Sequence, residues 1–215
     1  MSAFMVRSFA LALYLSATIA CSSGGETKET KAPPASAAPA TSGPQRVTGT
    51  APPAANGFPA FIVLDALDGA TPAPQASMPT MDQVQQTFTP PILFVRTGQP
   101  VEFTNNDDVL HNIRVRNEAT KSSAFNISIP NGDKFRFVFT EDGFYDVGCD
   151  IHPAMSAQIF ATTSPYAVTA ADSGEFAIDN VPMGKYKATV YSGPTKIERE
   201  LAVTAGQAPV DLSRP

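Results

Sequence analysis

The run Phe61-Ile62-Val63-Leu64 follows a stretch rich in proline and glycine and predicts a strand of buried type. Ile92-Leu93-Phe94-Val95 repeats that form ahead of a Gly98-Gln99-Pro100 turn. Beyond the turn, Val101 and Phe103 alternate with Glu102 and Thr104, the period-two mark of a half-buried strand. His111, Ile113 and Val115 share one face of a further strand, and Asn112, Arg114 and Arg116 share the other. Phe135, Phe137 and Phe139 alternate with Lys134, Arg136 and Val138 in the same way. No segment past residue 46 sustains a helical period, and proline and glycine recur at strand-length spacing. The pattern predicts an all-β chain organised as a β-sandwich.

A second unit is expected over 164–215. Val168 opens a strand, and Gly174-Glu175-Phe176-Ala177-Ile178 continues into Asn180-Val181-Pro182-Met183-Gly184. Tyr186, Ala188 and Val190 alternate with Lys187 and Thr189, and Leu201 and Val203 close a last strand before a turn at Gly206. About 50 residues is marginal for an independent core, so this unit should pack against the first, spanning 46–163. The alternative is that its strands enlarge a single sandwich.

The N-terminus reads as an export signal over 1–20, with Arg7 as a minimal basic region and Ser8 to Ala17 as an apolar segment too short to span a bilayer. Thr18-Ile19-Ala20-Cys21 has the form of a lipobox, which makes Cys21 the expected lipidated residue. Residues 21–45 are rich in Ser, Ala, Pro, Thr and Gly and read as a flexible tether. The expected location is facing the periplasm on a lipid anchor, and Ser22 directly after the cysteine fits sorting to the outer membrane of a Gram-negative cell. The formal net charge of −5, without any basic stripe, argues against nucleic-acid binding.

The chain has 2 cysteines. With Cys21 lipidated, Cys149 has no disulfide partner, and a lone thiol in an oxidising compartment calls for an occupant. Cys149-Asp150-Ile151-His152-Pro153-Ala154-Met155 supplies one: a thiolate, an imidazole and a thioether at positions i, i+3 and i+6. These are three of the four donors of a blue copper site. The chain has 2 histidines, and the other, His111, heads the apolar face of its strand. Asn112, facing the opposite way, is placed to hydrogen-bond the loop near Asp150 and to hold the two ligand segments together. Zinc also takes Cys and His donors, but it disfavours a methionine as fourth ligand, and Asp150, adjoining Cys149, should point away from the shared ion.

The lines MDQVQQTF, FTNNDDVLHN, GCDIHPAM and GEFAIDNVPMGKY resemble a bacterial group of plastocyanin-like, methylamine-utilisation-type proteins. Residues 95 to 161 resemble the cupredoxin family, with a short CxxHxxM loop similar to that of its amicyanin- and halocyanin-like members. The resemblance implies a cupredoxin Greek-key β-sandwich followed by a small carboxypeptidase-regulatory-like β-domain. It implies one type 1 copper ion held by His111, Cys149, His152 and Met155. The expected activity is outer-sphere electron exchange with a redox partner protein rather than enzyme catalysis, because no histidines remain for further copper centres. His152 should present its ring edge to solvent, with Pro153 and Ala154 as a small docking patch. The group often has a tryptophan where Ala154 stands. A periplasmic copper carrier is the alternative reading of the same donors.

Overall fold

A computed structural model of the chain describes residues 43–55, 57–69 and 75–214. The expected signal, Cys21 and the tether as far as residue 42 lie outside the described residues. All regular elements among the described residues are strands, so the all-β expectation holds. The chain enters through β1 (Gln45–Thr50) and β2 (Phe61–Ala66). It continues through β3 (Thr80–Val84), β4 (Thr87–Thr89), β5 (Ile92–Arg96), β6 (Pro100–Asn105), β7 (His111–Asn117), β8 (Ser123–Ile129), β9 (Lys134–Val138), β10 (Gly143–Gly148) and β11 (Ser156–Thr162). It closes with β12 (Ala167–Thr169), β13 (Glu175–Val181), β14 (Gly184–Ser192), β15 (Thr195–Val203) and β16 (Val210–Asp211).

These strands form four sheets. The order β5-β11-β10-β7-β8 and the order β4-β3-β6-β9 enclose one core, built around Met81, Phe103, Ile113, Val115, Val147 and Ile159. The orders β13-β1-β16 and β12-β2-β14-β15 enclose another, built around Val47, Ile62, Leu64, Ile178, Val190 and Leu212. Gly49 is needed where β1 takes β16 as a parallel neighbour, since a Cβ there would run into the Val210 carbonyl oxygen.

The boundary expected at residue 164 is not where the strands divide. β1 pairs with β13 and β16, and β2 pairs with β12 and β14, so residues 45–66 belong to the sheets of the C-terminal segment. The first sandwich, β3 to β11, is therefore inserted between two parts of the second. The reason lies in β2. Ile62 and Leu64 point into the second core, while Phe61 and Val63 pack on Phe160 of β11, with Phe94, Phe144 and Tyr191 around them. A strand buried on both faces reads as an unbroken apolar run, which is what Phe61 to Leu64 shows. The contact between the sandwiches is aromatic, with Phe144 edge-on to Phe61 at 5.0 Å and to Tyr191 at 5.2 Å between ring centroids.

Two further differences have simple causes. β16 lies beyond Gly206, where the sequence pattern is too short to show a strand. Phe135 and Phe137 are only half-buried, because β9 is an edge strand, and Phe125 of β8 covers them at 5.1 and 4.6 Å.

Candidate metal centre

The two segments that carry the candidate donors meet at one end of the first sandwich. β7 starts at His111 and pairs with β10, whose last residue, Gly148, precedes Cys149. The loop 149–155 then joins β10 to its antiparallel neighbour β11. Pro153 sits at the second position of a turn closed by the Met155 N–H donating to the His152 carbonyl at 2.9 Å, and its fixed φ suits that position. The turn sends Met155 back into the core, where it is buried in the same cluster as Cys149.

His111, Cys149 and His152 place their ligating atoms within 4.8 Å of one another. His111 Nδ1 lies 3.9 Å from Cys149 Sγ and 2.9 Å from His152 Nδ1, and the two rings are edge-on with centroids 4.7 Å apart. The His152 N–H donates to Cys149 Sγ at 3.4 Å, which drapes the loop around the sulfur. His111 is fully buried, Cys149 is buried and His152 is half-exposed. Cys149 is a free thiol.

Asn112 holds the loop onto β7. Its Oδ1 accepts the Asp150 N–H at 2.7 Å and the Ile151 N–H at 3.3 Å, and lies 3.3 Å from Cys149 Sγ. Its Nδ2 donates to Asn126 Oδ1 at 2.8 Å and to Asp150 Oδ2 at 3.2 Å. Asp150 is turned away from the donor cluster and is shared by Asn126 and Arg114, whose Nε lies 3.3 Å from Asp150 Oδ1. Gly148 makes room for this ion pair, because a Cβ there would lie 2.8 Å from an Arg114 guanidinium nitrogen.

Sequence reasoning passed over Asp107, Arg114 and Asn126. Asp107 lies in the loop before β7, yet its Oδ2 is 2.9 Å from Nε2 of His111. A carboxylate four residues before a candidate ligand was the available signal. The Gln86 backbone N–H and the His111 ring bring the Asp107 carboxyl down from 3.8 to about 2. Arg114 and Asn126 gave no signal, since they act through Asp150 across strand pairings that spacing does not reveal.

The chemistry of this donor set can be tested against a metal. His111 points Nε2 at Asp107 and turns Nδ1 toward Cys149 and His152. One soft sulfur, two imidazole nitrogens and a buried thioether nearby suit copper, whereas zinc would favour a further His, Cys or carboxylate in place of methionine. Asp150, the one carboxylate on the loop, is engaged elsewhere.

Solved structures with related chains include a purple cupredoxin from Nitrosopumilus maritimus, 26% identical over 39% of this chain and 98% of that one, with a TM-score of 0.35. A copper-containing nitrite reductase from Thermus scotoductus is 25% identical over 45% of this chain and 25% of its own, with a TM-score of 0.37. Amicyanin from Paracoccus versutus is 17% identical over 47% of this chain and 96% of its own, with a TM-score of 0.36. No curated protein sequence matches the chain. Residues 76–161, which build nearly all of the first sandwich and carry His111, Cys149, His152 and Met155, match the copper binding proteins of the plastocyanin/azurin family, and a single copper ion is the cofactor this donor set fits.

Proposed function

We propose that the chain is an electron-transfer protein holding one copper ion between His111, Cys149 and His152, with Met155 as a weak fourth donor. The observation that carries the reading is the convergence of the thiol and both imidazoles within 4.8 Å at one end of the first sandwich. Copper supplies one-electron exchange between Cu(I) and Cu(II). The residues of the chain keep the donors in place: Asn112 fixes the loop, Asp107 fixes the His111 ring, and the core buries Cys149 and Met155. Donors held this firmly limit the rearrangement that accompanies a change of charge.

His152 is the outermost of the three and serves as the electron port. Pro153 and Ala154 are exposed beside it, as are Leu110 at 49% and Ile151 at 46%, the residues that directly precede the two histidines. This apolar rim suits a short-lived docking contact with a redox partner protein, and a small alanine in the loop keeps the face flat. In this reading the chain transfers electrons without transforming a substrate. It is anchored by a lipid on Cys21 and faces the periplasm from the outer membrane, with the second sandwich acting as a carboxypeptidase-regulatory-like support.

Adding Cu(II) to the purified full chain should produce an intense visible thiolate-to-copper absorption band, and Cys149→Ser should abolish it. A colourless protein that takes up Zn(II) instead overturns the copper reading. Reversible voltammetry with copper retained against a chelator supports electron transfer. Ready surrender of copper to the chelator assigns the site to copper carriage instead.

A further inference from the structure

Away from the donor end, the junction of the two sandwiches holds a cleft of about 610 Å³, within the size range of small-molecule sites. Phe144, Gln158 and Phe160, on the outer face of the sheet β5-β11-β10-β7-β8, form its floor, and Phe61 and Tyr191 of the second sandwich form a wall. β10 begins at Gly143, which lines the cleft, and ends at Gly148, next to Cys149. Roughly 17 Å of strand therefore lies between the cleft and the donors. Phe58 stands at the cleft 62% exposed, yet its backbone is held by reciprocal hydrogen bonds with Ala55 at 3.0 and 3.1 Å. Half-buried Phe144 and Tyr191, whose rings meet edge-on at 5.2 Å, line the same space, so the exposed apolar surface here is grouped rather than scattered.

One turn adds two opposite charges to this apolar lining. Glu118 and Lys121 both lie between β7 and β8, and both border the cleft. The turn is held in place: Asn117 Oδ1 accepts the Ala119 and Thr120 N–H groups at 3.0 Å, and the Lys121 N–H donates to the Asn117 carbonyl at 2.9 Å. The Glu118 N–H donates to the Phe144 carbonyl at 2.8 Å, which ties the turn to the cleft floor. No ion pair joins Glu118 to Lys121. One carboxylate oxygen of Glu118 accepts the Gln158 amide at 3.3 Å, and among the described residues the Lys121 ammonium has no carboxylate partner.

We infer that this cleft binds a free aromatic α-amino acid, with its ring against Phe58, Phe144 and Tyr191, its carboxylate on Lys121 and its ammonium on Glu118. The two charges of such a zwitterion hang from one carbon, as the two charged side chains hang from one turn. A ligand with a single charge would pair with one of these side chains and be repelled by the other. An aliphatic amino acid would match both charges but forgo the edge-to-face contacts that the rings offer an aromatic body. The inference stands apart from the copper reading, because no residue of the cleft belongs to the donor set.

The chain has no tryptophan, so the emission of added L-tryptophan reports its binding directly. The titration uses the full chain without metal, because free amino acids themselves chelate Cu(II). L-Tryptophan should bind saturably with a dissociation constant below about 1 mM. It should bind at least about fivefold more tightly than tryptamine or indole-3-propionate, each of which lacks one of the two charges. Lys121→Asn suits the left-handed backbone at that position, where φ is 59°, and should bring tryptophan to within about twofold of tryptamine. Glu118→Gln should do the same relative to indole-3-propionate. Phe58→Ala keeps both charges and should weaken all three ligands about 2–10-fold. The three side chains are exposed, so these variants should melt with the parent. L-Phenylalanine should displace bound tryptophan, and L-leucine should not. Binding that does not saturate overturns the inference, as does tryptophan no tighter than its two analogues or an affinity untouched by Lys121→Asn. Equal displacement by leucine overturns the aromatic assignment.

Discussion

The two sandwiches have cores of similar apolar content, yet only one of them is built to bind. In the second, Ile62, Leu64, Ile178, Val190 and Leu212 interlock with little that is polar among them. In the first, one end of the core gives way to buried polar groups: His111 and Asn112 lie against Cys149, and buried Asn105 ties down the loop that leads to His111. Buried polar groups cost stability unless partnered, and His111, Asn105 and Asn112 find partners on the 105–110 loop, which crosses between the sheets, and on the 149–155 loop. The second sandwich therefore supports, and the first spends part of its packing on a polar network that aims three donors at one point.

Removing the junction between the sandwiches is the largest expected perturbation. Phe160 packs against Phe61, Phe94, Phe144 and Tyr191, and Phe160→Ala should cost about 3–5 kcal/mol in urea unfolding. The visible band of the copper-loaded native protein should survive, because Phe160 points away from the donor core. Loss of the band at equal native population would mean that the second sandwich shapes the site directly.

A smaller effect separates the two regions by their hydrogen bonds. Asn112→Ala strips the acceptor from the Asp150 and Ile151 N–H groups and should cost about 1–3 kcal/mol while shifting the visible band. Ser164→Ala removes a hydroxyl that donates to the Leu64 carbonyl at 2.5 Å and should destabilise to a similar or lesser degree with no spectral change. Equal spectral silence in both would show that the loop keeps its geometry without Asn112.

Swaps that conserve volume should be milder still. Met155→Leu and Leu64→Met should each cost less than about 1.5 kcal/mol. Only the first should move the absorption and the reduction potential, since a thioether is lost from the donor end alone. A spectrum unchanged by Met155→Leu would remove Met155 from the donor set.

The smallest effect concerns Asp65 on β2, whose carboxyl is pushed above its ordinary 3.8, chiefly by burial and against the pull of Lys187. A raised carboxyl in the folded state means that stability falls as pH rises through 3.8 toward the folded value, and the penalty stands in full above it. Asp65→Asn should therefore raise the melting temperature slightly at pH 7 and lose that advantage in acid. A drop at pH 7 would show that the attraction of Lys187 outweighs burial.

Much of this was written in the chain itself. The alternation around Phe103, Ile113 and Tyr186 revealed strands, because period two follows from the geometry of the strand and needs no neighbour. The spacing of Cys149, His152 and Met155 revealed one half of the site, because a single tight loop delivers all three. With 2 histidines in the chain, His111 was the one imidazole left to complete it. Tertiary structure alone decided the rest. Whether β1 and β2 join the first sandwich or the second depends on which strands compete for their edges, and the apolar run at Phe61 to Leu64 does not say which core each face meets. Gln86, Arg114 and Asn126 act through contacts between residues far apart in sequence or through strand pairing, and of these groups only Asp107, four residues before His111, stood at a spacing the sequence shows. The donors were local and therefore legible, whereas the groups that aim them are set by how the two sheets close.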